Sequence, residues 1–249
     1  YKGNCVMKEL TVKNHLISKA APTICVPVMG ESFDEVVKGV KSAVKAGAAM
    51  VEWRADYFEN LQDSLELGRL LWKLKEITPD TVLVFTIRTV REGGTGDLSQ
   101  KKIEEILMEV AESGCVDFVD YEFSQGTDVK KMISSLQELG AKVIASHHEF
   151  ERTPSKDEMM KLLKDMEASG ADIVKLAIMP KDFKDTLRLM DTSLEFDEES
   201  DCPLISMAMG DLGKVSRVAG RFFGSVVTFA ALGAESAPGQ ISYGEIRVL

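Results

Sequence analysis

No stretch of this 249-residue chain is apolar and long enough to cross a bilayer, and the composition reads as that of an ordinary soluble globular protein. The first residues, Tyr-Lys-Gly-Asn-Cys-Val-Met, have neither the apolar segment nor the cleavage site of a signal peptide, and a start at Tyr1 reads as a remnant ahead of Met7. Cysteine is scarce. Cys5, Cys25, Cys115 and Cys202 form no CxxC pair, so neither a zinc site nor a disulfide framework is expected, and a reducing cytoplasm is the simplest home. Runs of lysine and arginine are also missing. Forty acidic against 30 basic residues leave a formal charge of −10, which argues against nucleic acid or an anionic membrane as partner. No low-complexity linker or shift of composition marks a second domain, so residues 1–249 are expected to form one.

What the chain does have is alternation. Short β-rich runs at Thr23–Val28, Met50–Arg54, Val82–Arg88, Val116–Glu122, Lys142–His148, Ile173–Ile178, Pro203–Met207 and Ser225–Phe229 are separated by amphipathic helical runs. Ser32 with Glu35 reads as a capping box for the first helix, and Thr153-Pro154-Ser155 opens the fifth in similar style. Gly47, Gly114, Gly140 and Gly170 stand where left-handed caps would end helices just before the next strand. Eight successive βα units in this length imply an α/β fold of the (β/α)8 TIM-barrel type rather than an open sheet or a solenoid. The segment Glu9–Lys19 reads as a β-hairpin expected to close the barrel floor.

In such a barrel one parity of each strand faces the interior, so the inward side chains can be read from sequence. Glu52 and Arg54 share a face, as do Thr86 and Arg88, Asp120 and Glu122, Ser146 and His148, while Lys175 lies on the inward parity of Ile173–Ile178. Three cations and three carboxylates brought to one cavity near the carboxyl ends of the strands would be costly unless function retained them. Lys175 alone could be a snorkelling or ion-paired strand lysine; in this company it is a candidate Schiff-base nucleophile, with His148 on the neighbouring strand as proton shuttle. His147 has the opposite parity and is expected to pack or hydrogen-bond beneath a helix.

In this order and spacing, Glu52-Trp-Arg-Ala-Asp56, Thr86-Ile-Arg88, Arg91-Glu-Gly-Gly94, Ser146-His-His-Glu-Phe150, Val174-Lys-Leu-Ala-Ile-Met-Pro180, Ser206-Met-Ala208, Ser216-Arg217 and Ser236-Ala-Pro-Gly-Gln240 resemble the motifs of the type I 3-dehydroquinate dehydratases of the shikimate pathway. The resemblance implies dehydration of 3-dehydroquinate to 3-dehydroshikimate through a Schiff base on Lys175, with His148 as general acid and base and Glu92 orienting it. It also implies that Arg217 takes the substrate carboxylate, that Glu52, Arg54 and Arg88 hold hydroxyls and one another, and that Ser236 and Gln240 belong to a closing loop. Met207 and Phe229 are expected as apolar walls, a place that plain core packing would explain equally well. A homodimer is implied; no cofactor and no metal are. Gly93-Gly-Thr-Gly96 looks like a phosphate cradle, yet lacks the strand and helix context of one and is read as loop. Class I aldolases place a Schiff-base lysine in the same barrel, and a non-catalytic sugar-acid binding protein is the other alternative.

Overall fold

The alternating runs become eight parallel strands, each followed by a helix or helical turn, in a computed structural model that describes residues 8–123, 128–233 and 235–248. The expected remnant ahead of Met7 lies outside the described residues. A hairpin of β1 (Leu10–Val12) and β2 (His15–Ile17) comes first. The barrel strands are β3 (Thr23–Met29), β4 (Met50–Arg54), β5 (Val82–Thr86), β6 (Phe118–Glu122), β7 (Lys142–Glu149), β8 (Ile173–Ile178), β9 (Leu204–Ala208) and β10 (Val227–Ala231). They pair in chain order from β3 to β9, and β10 pairs with β3. Between β9 and β10 the ring is joined by a single parallel bridge, Leu204 with Ser225, beside the bond from the Val226 amide to the Leu204 carbonyl at 2.8 Å. Above that bridge the two strands part, and a two-residue strand β11 (Ile241–Ser242) pairs with the upper end of β10.

Helices α1 (Phe33–Lys45), α2 (Ser64–Ile77), α3 (Gln100–Glu112), α4 (Val129–Glu138), α5 (Lys156–Ala168) and α6 (Phe183–Glu199) form the outer ring. Ser32 and Ser155 both complete capping boxes, with Glu35 and Glu158. Gly47, Gly114, Gly140 and Gly170 have φ of 85°, 59°, 93° and 88°, the left-handed caps expected of them. The last two helices are much shorter than the others: α7 (Lys214–Val218) and α8 (Tyr243–Ile246). Gly213, which caps α7, packs so tightly on β9 that a Cβ there would lie 2.1 Å from the Ala208 carbonyl oxygen.

Strand parity divides the core as the sequence implies. Outward residues such as Val51, Trp53, Phe85 and Leu176 join the layer beneath the helices, where Trp53 meets Phe58 and Phe85 edge-on at 5.9 and 5.2 Å. Inward residues Met50, Val82, Phe118, Ile144 and Ile205 fill the barrel together with Val12 and Ile17 of the hairpin, which therefore closes the floor. Lys13, at the hairpin turn, anchors it through the Thr78 and Thr81 carbonyls and the Asp117 carboxylate. The third barrel strand ends at Thr86, two residues before the expected Arg88, where the Arg88 amide turns to Asp56.

Candidate active site

Above the apolar floor the inward positions of β4 to β8 carry polar side chains, while β9 and β10 present Met207 and Phe229. Lys175 on β8 is buried, its Nζ 3.4 Å from Asp120 Oδ2 and 3.5 Å from Glu52 Oε1, with the Phe229 ring centroid 4.5 Å away. Thr86 donates to the same Glu52 oxygen at 3.0 Å. Arg88 runs beneath the site as a strut: its guanidinium reaches Asp120 at 2.9 Å, Glu122 and Ser146 Oγ at 3.0 Å each, and Glu92 at 3.5 Å. Burial opposes the Arg88 charge, but Asp120, Glu122 and Glu92 prevail and raise its pKa. Asp120 is pulled up by burial yet held down to about 2 by Arg88 and Lys175, so it stays ionised. Glu122 is raised, with burial the main cause and Arg88 opposing.

Glu92 comes from a 3-10 turn, Val90–Glu92, that follows β5. The turn closes on Gly93 at φ 79°, where a Cβ would sit 2.3 Å from the Phe150 ring, so both the backbone and the space require glycine. Glu92 Oε2 accepts from the His148 amide at 3.0 Å and lies 2.9 Å from His148 Nδ1. Burial raises the Glu92 carboxyl, but the two histidines and Arg88 overcome it and hold it well below the usual range. An ionised carboxylate at Nδ1 fixes that nitrogen as donor and leaves Nε2 with its lone pair. His148 is driven down to about 3, chiefly by burial and Arg88 against the pull of Glu92, and is a neutral imidazole.

His147 departs from expectation. Instead of engaging only a helix, its ring turns Nδ1 toward the other oxygen of Glu92, at 3.5 Å. The glycine run after Glu92 binds its own chain, with the Gly94 amide on the Thr89 carbonyl at 2.8 Å and the Gly96 amide on the Arg88 carbonyl at 3.0 Å, in keeping with a loop.

The remaining wall is built at the parted β9–β10 seam. Arg217 of α7 enters there, buried, with Nη2 donating to the Pro238 carbonyl at 3.2 Å and Nη1 3.8 Å from Met207 Sδ. Its Nε has no hydrogen-bond partner among the described residues, and none of their carboxylates forms an ion pair with it. Burial pulls its pKa down to about 10, with Glu235 opposing. Arg54, paired through two 2.8 Å bonds to Asp56, reaches the Ser236 carbonyl at 3.4 Å. Ser236 and Gln240 brace their loop by two reciprocal 2.9 Å bonds.

These groups surround one cavity. Lys175, His148, Glu92, Glu52, Arg54, Arg88, Arg217, Ser236, Gln240, Met207 and Phe229 all line it. Among the described residues no group of three or more His, Cys, Asp or Glu is arranged to hold a metal ion.

The sequence profile of the family described as Type I 3-dehydroquinase matches residues 24–249. The chain belongs to that family. The 3-dehydroquinate dehydratase of Listeria monocytogenes serotype 4b is 37% identical over 242 residues, covering 97% of this chain and 96% of its own. A crystal structure of 3-dehydroquinate dehydratase from Geobacillus kaustophilus superposes with a TM-score of 0.95 at 35% identity, over 99% of this chain and 96% of that one. The type I enzyme from Clostridium difficile with covalently modified comenic acid gives a TM-score of 0.92 at 35% identity, over 98% and 96%. As a type I 3-dehydroquinase the chain is a hydro-lyase of the shikimate pathway.

In this 3-dehydroquinase, sequence reading left Asp56, Gly93, Phe150 and Met209 out of the site. Asp56 could have been found, because an acid two residues after an inward arginine at a strand end is within reach of its guanidinium. Phe150 and Met209 keep the inward parity of His148 and Met207 one residue past the strand ends, so they too were within reach of parity, whereas Gly93 lines the cavity from the loop after β5.

Proposed function

We propose that Lys175 Nζ attacks the ketone of 3-dehydroquinate, expels water and forms an iminium that acts as electron sink for the elimination. His148 Nε2 removes a proton from the carbon next to the iminium; the electron pair forms the enamine, which then expels the β-hydroxyl as water with a proton returned by His148. A second water hydrolyses the iminium, releasing 3-dehydroshikimate and the free amine. Glu92 holds the His148 tautomer and offsets the charge of the imidazolium formed on proton abstraction. Asp120 and Glu52 stand within 3.5 Å of Nζ, where their negative charge offsets that of the iminium.

The observation that carries this reading is the meeting, in one cavity, of a buried lysine, a neutral histidine oriented by a carboxylate, and an arginine without a carboxylate partner among the described residues. We assign the substrate carboxylate to Arg217, whose Nε has no hydrogen-bond partner among the described residues, and ring hydroxyls to Glu52, Arg54 and Arg88. The loop Ser236–Gln240 covers the site and limits its water. The test is borohydride reduction in the presence of 3-dehydroquinate, followed by intact mass and peptide mapping. A reduced adduct on Lys175 is expected; an unchanged mass, or an adduct on another lysine, refutes the assignment. Family membership also carries the proposal of a cytoplasmic homodimer, for which light scattering should give twice the chain mass.

A further inference from the structure

Two consecutive residues of one strand turn their rings toward one carboxylate. On β7, His148 faces the barrel interior and His147 the exterior, yet Glu92, overhanging the upper end of the strand from its 3-10 turn, lies 2.9 Å from one Nδ1 and 3.5 Å from the other. The contact at His147 uses Oε1 and the contact at His148 uses Oε2. The side chains differ in surroundings: His148 is 10% exposed and Glu92 2%, whereas His147 is 21% exposed and borders an outer cleft with Arg91, Glu149 and Glu151. Nδ1 of His147 is itself buried and makes no closer hydrogen bond among the described residues. Glu92 belongs to the walls of both the inner cavity and the outer cleft.

We propose that His147 is a positioning residue for the proposed dehydration: from outside the barrel it holds the second oxygen of Glu92 and so fixes the carboxylate that orients His148. The inference rests on His148 being the base. The physical argument is that a carboxylate contacted at both oxygens is held in one orientation: the His147 contact at Oε1 keeps Oε2 aimed at His148 Nδ1, and without it the carboxylate is free to rotate away from the base. Other charges that face Glu92 are Arg88 from the end of β5 and Glu122 from β6, and both stay fixed in their own ion pair. Facing His147 across the outer cleft are Arg91, Glu149 and Glu151. A residue on the outer face of the strand thus acts on a base that lines the inner cavity.

The experiment compares pH profiles of kcat and KM for the parent enzyme, His147→Ala and His147→Asn, with borohydride trapping of 3-dehydroquinate run on each. Asparagine places an amide N–H near the position of Nδ1. His147→Ala should lower kcat about tenfold at neutral pH, the size of one hydrogen bond to a charged group, with KM unmoved. His147→Asn should recover most of that kcat. An alanine profile identical to the parent's overturns the proposal, as does an equal loss in both variants with a raised KM, which would mark simple structural damage. A parent enzyme that traps no adduct sinks the Schiff-base reading together with this one. A trapped parent with unmoved profiles sinks this one alone.

Discussion

Glu92 concentrates the chemistry of the site in one side chain, because its ionised carboxylate decides which nitrogen of His148 carries the hydrogen. If His148 then moves every proton of the cycle, His148→Ala should slow elimination and iminium hydrolysis by about 10²–10⁴-fold while leaving substrate binding in place. Covalent adduct should accumulate during turnover, and intact-protein mass spectrometry at steady state measures it directly. Arg217 predicts a different signature. With the guanidinium removed, the substrate carboxylate loses its partner, so Arg217→Ala should cost roughly 30-fold or more in kcat/KM, carried mainly by KM. A mass-trapping experiment at saturating substrate should still label Lys175 in that variant.

At the level of elements, the parted strands β9 and β10 and the short α7 and α8 make room for the loop that covers the site. Gly239 is the tightest point of that loop: at φ 73°, a Cβ there would lie 2.3 Å from the Gly210 carbonyl oxygen. The Gly210 amide in turn bonds the Pro238 carbonyl at 3.0 Å. Gly239→Ala should therefore lift the loop off the β9–α7 turn and reduce kcat/KM by up to about 100-fold, the scale of an ångström of misplacement, with the thermal midpoint shifted by only a few degrees. Steady-state kinetics and a melting curve on the same sample check both halves. Strand parity made much of this architecture legible in the sequence, since a period of two assigns every inward residue from Glu52 to Lys175 once the strands are placed. It could not show that the helices after β9 and β10 are so short, nor that Gly213 packs against Ala208, because the period of two says nothing of helix length or of close backbone approach. Nor could parity show His147 reaching Glu92: that contact depends on a 3-10 turn whose path is set by Asp56, Arg88 and Gly93.

For the molecule as a whole, so many buried charges tie stability to pH. His148 has a folded pKa of about 3 against an ordinary value of about 6.5, so between those values the unfolded chain binds a proton that the native one refuses. Its contribution is intact above about pH 6.5 and is lost as pH falls toward 3. Asp120, depressed to about 2 from an ordinary 3.9 or so, is intact above about pH 4 and is lost below it. Denaturant titrations should accordingly show a shallow decline from about pH 6.5 to 4 and a steeper one below. His148→Gln should flatten the first decline and spare the second.

Seven junctions of the barrel are knitted by ladders of three to six residue pairs, and the eighth by the lone bridge of Leu204 with Ser225. A ring with one weak link opens at that link. Arg217 and the covering loop are mounted on it, so breathing of the barrel and exposure of the cavity become one motion, drawn from the least protected part of the fold. Substrate that bridges Arg217 and Lys175 would clasp the two sides together. Amide exchange at Val226 should then be faster than at Val174 in the free enzyme and slow selectively once the cavity is filled.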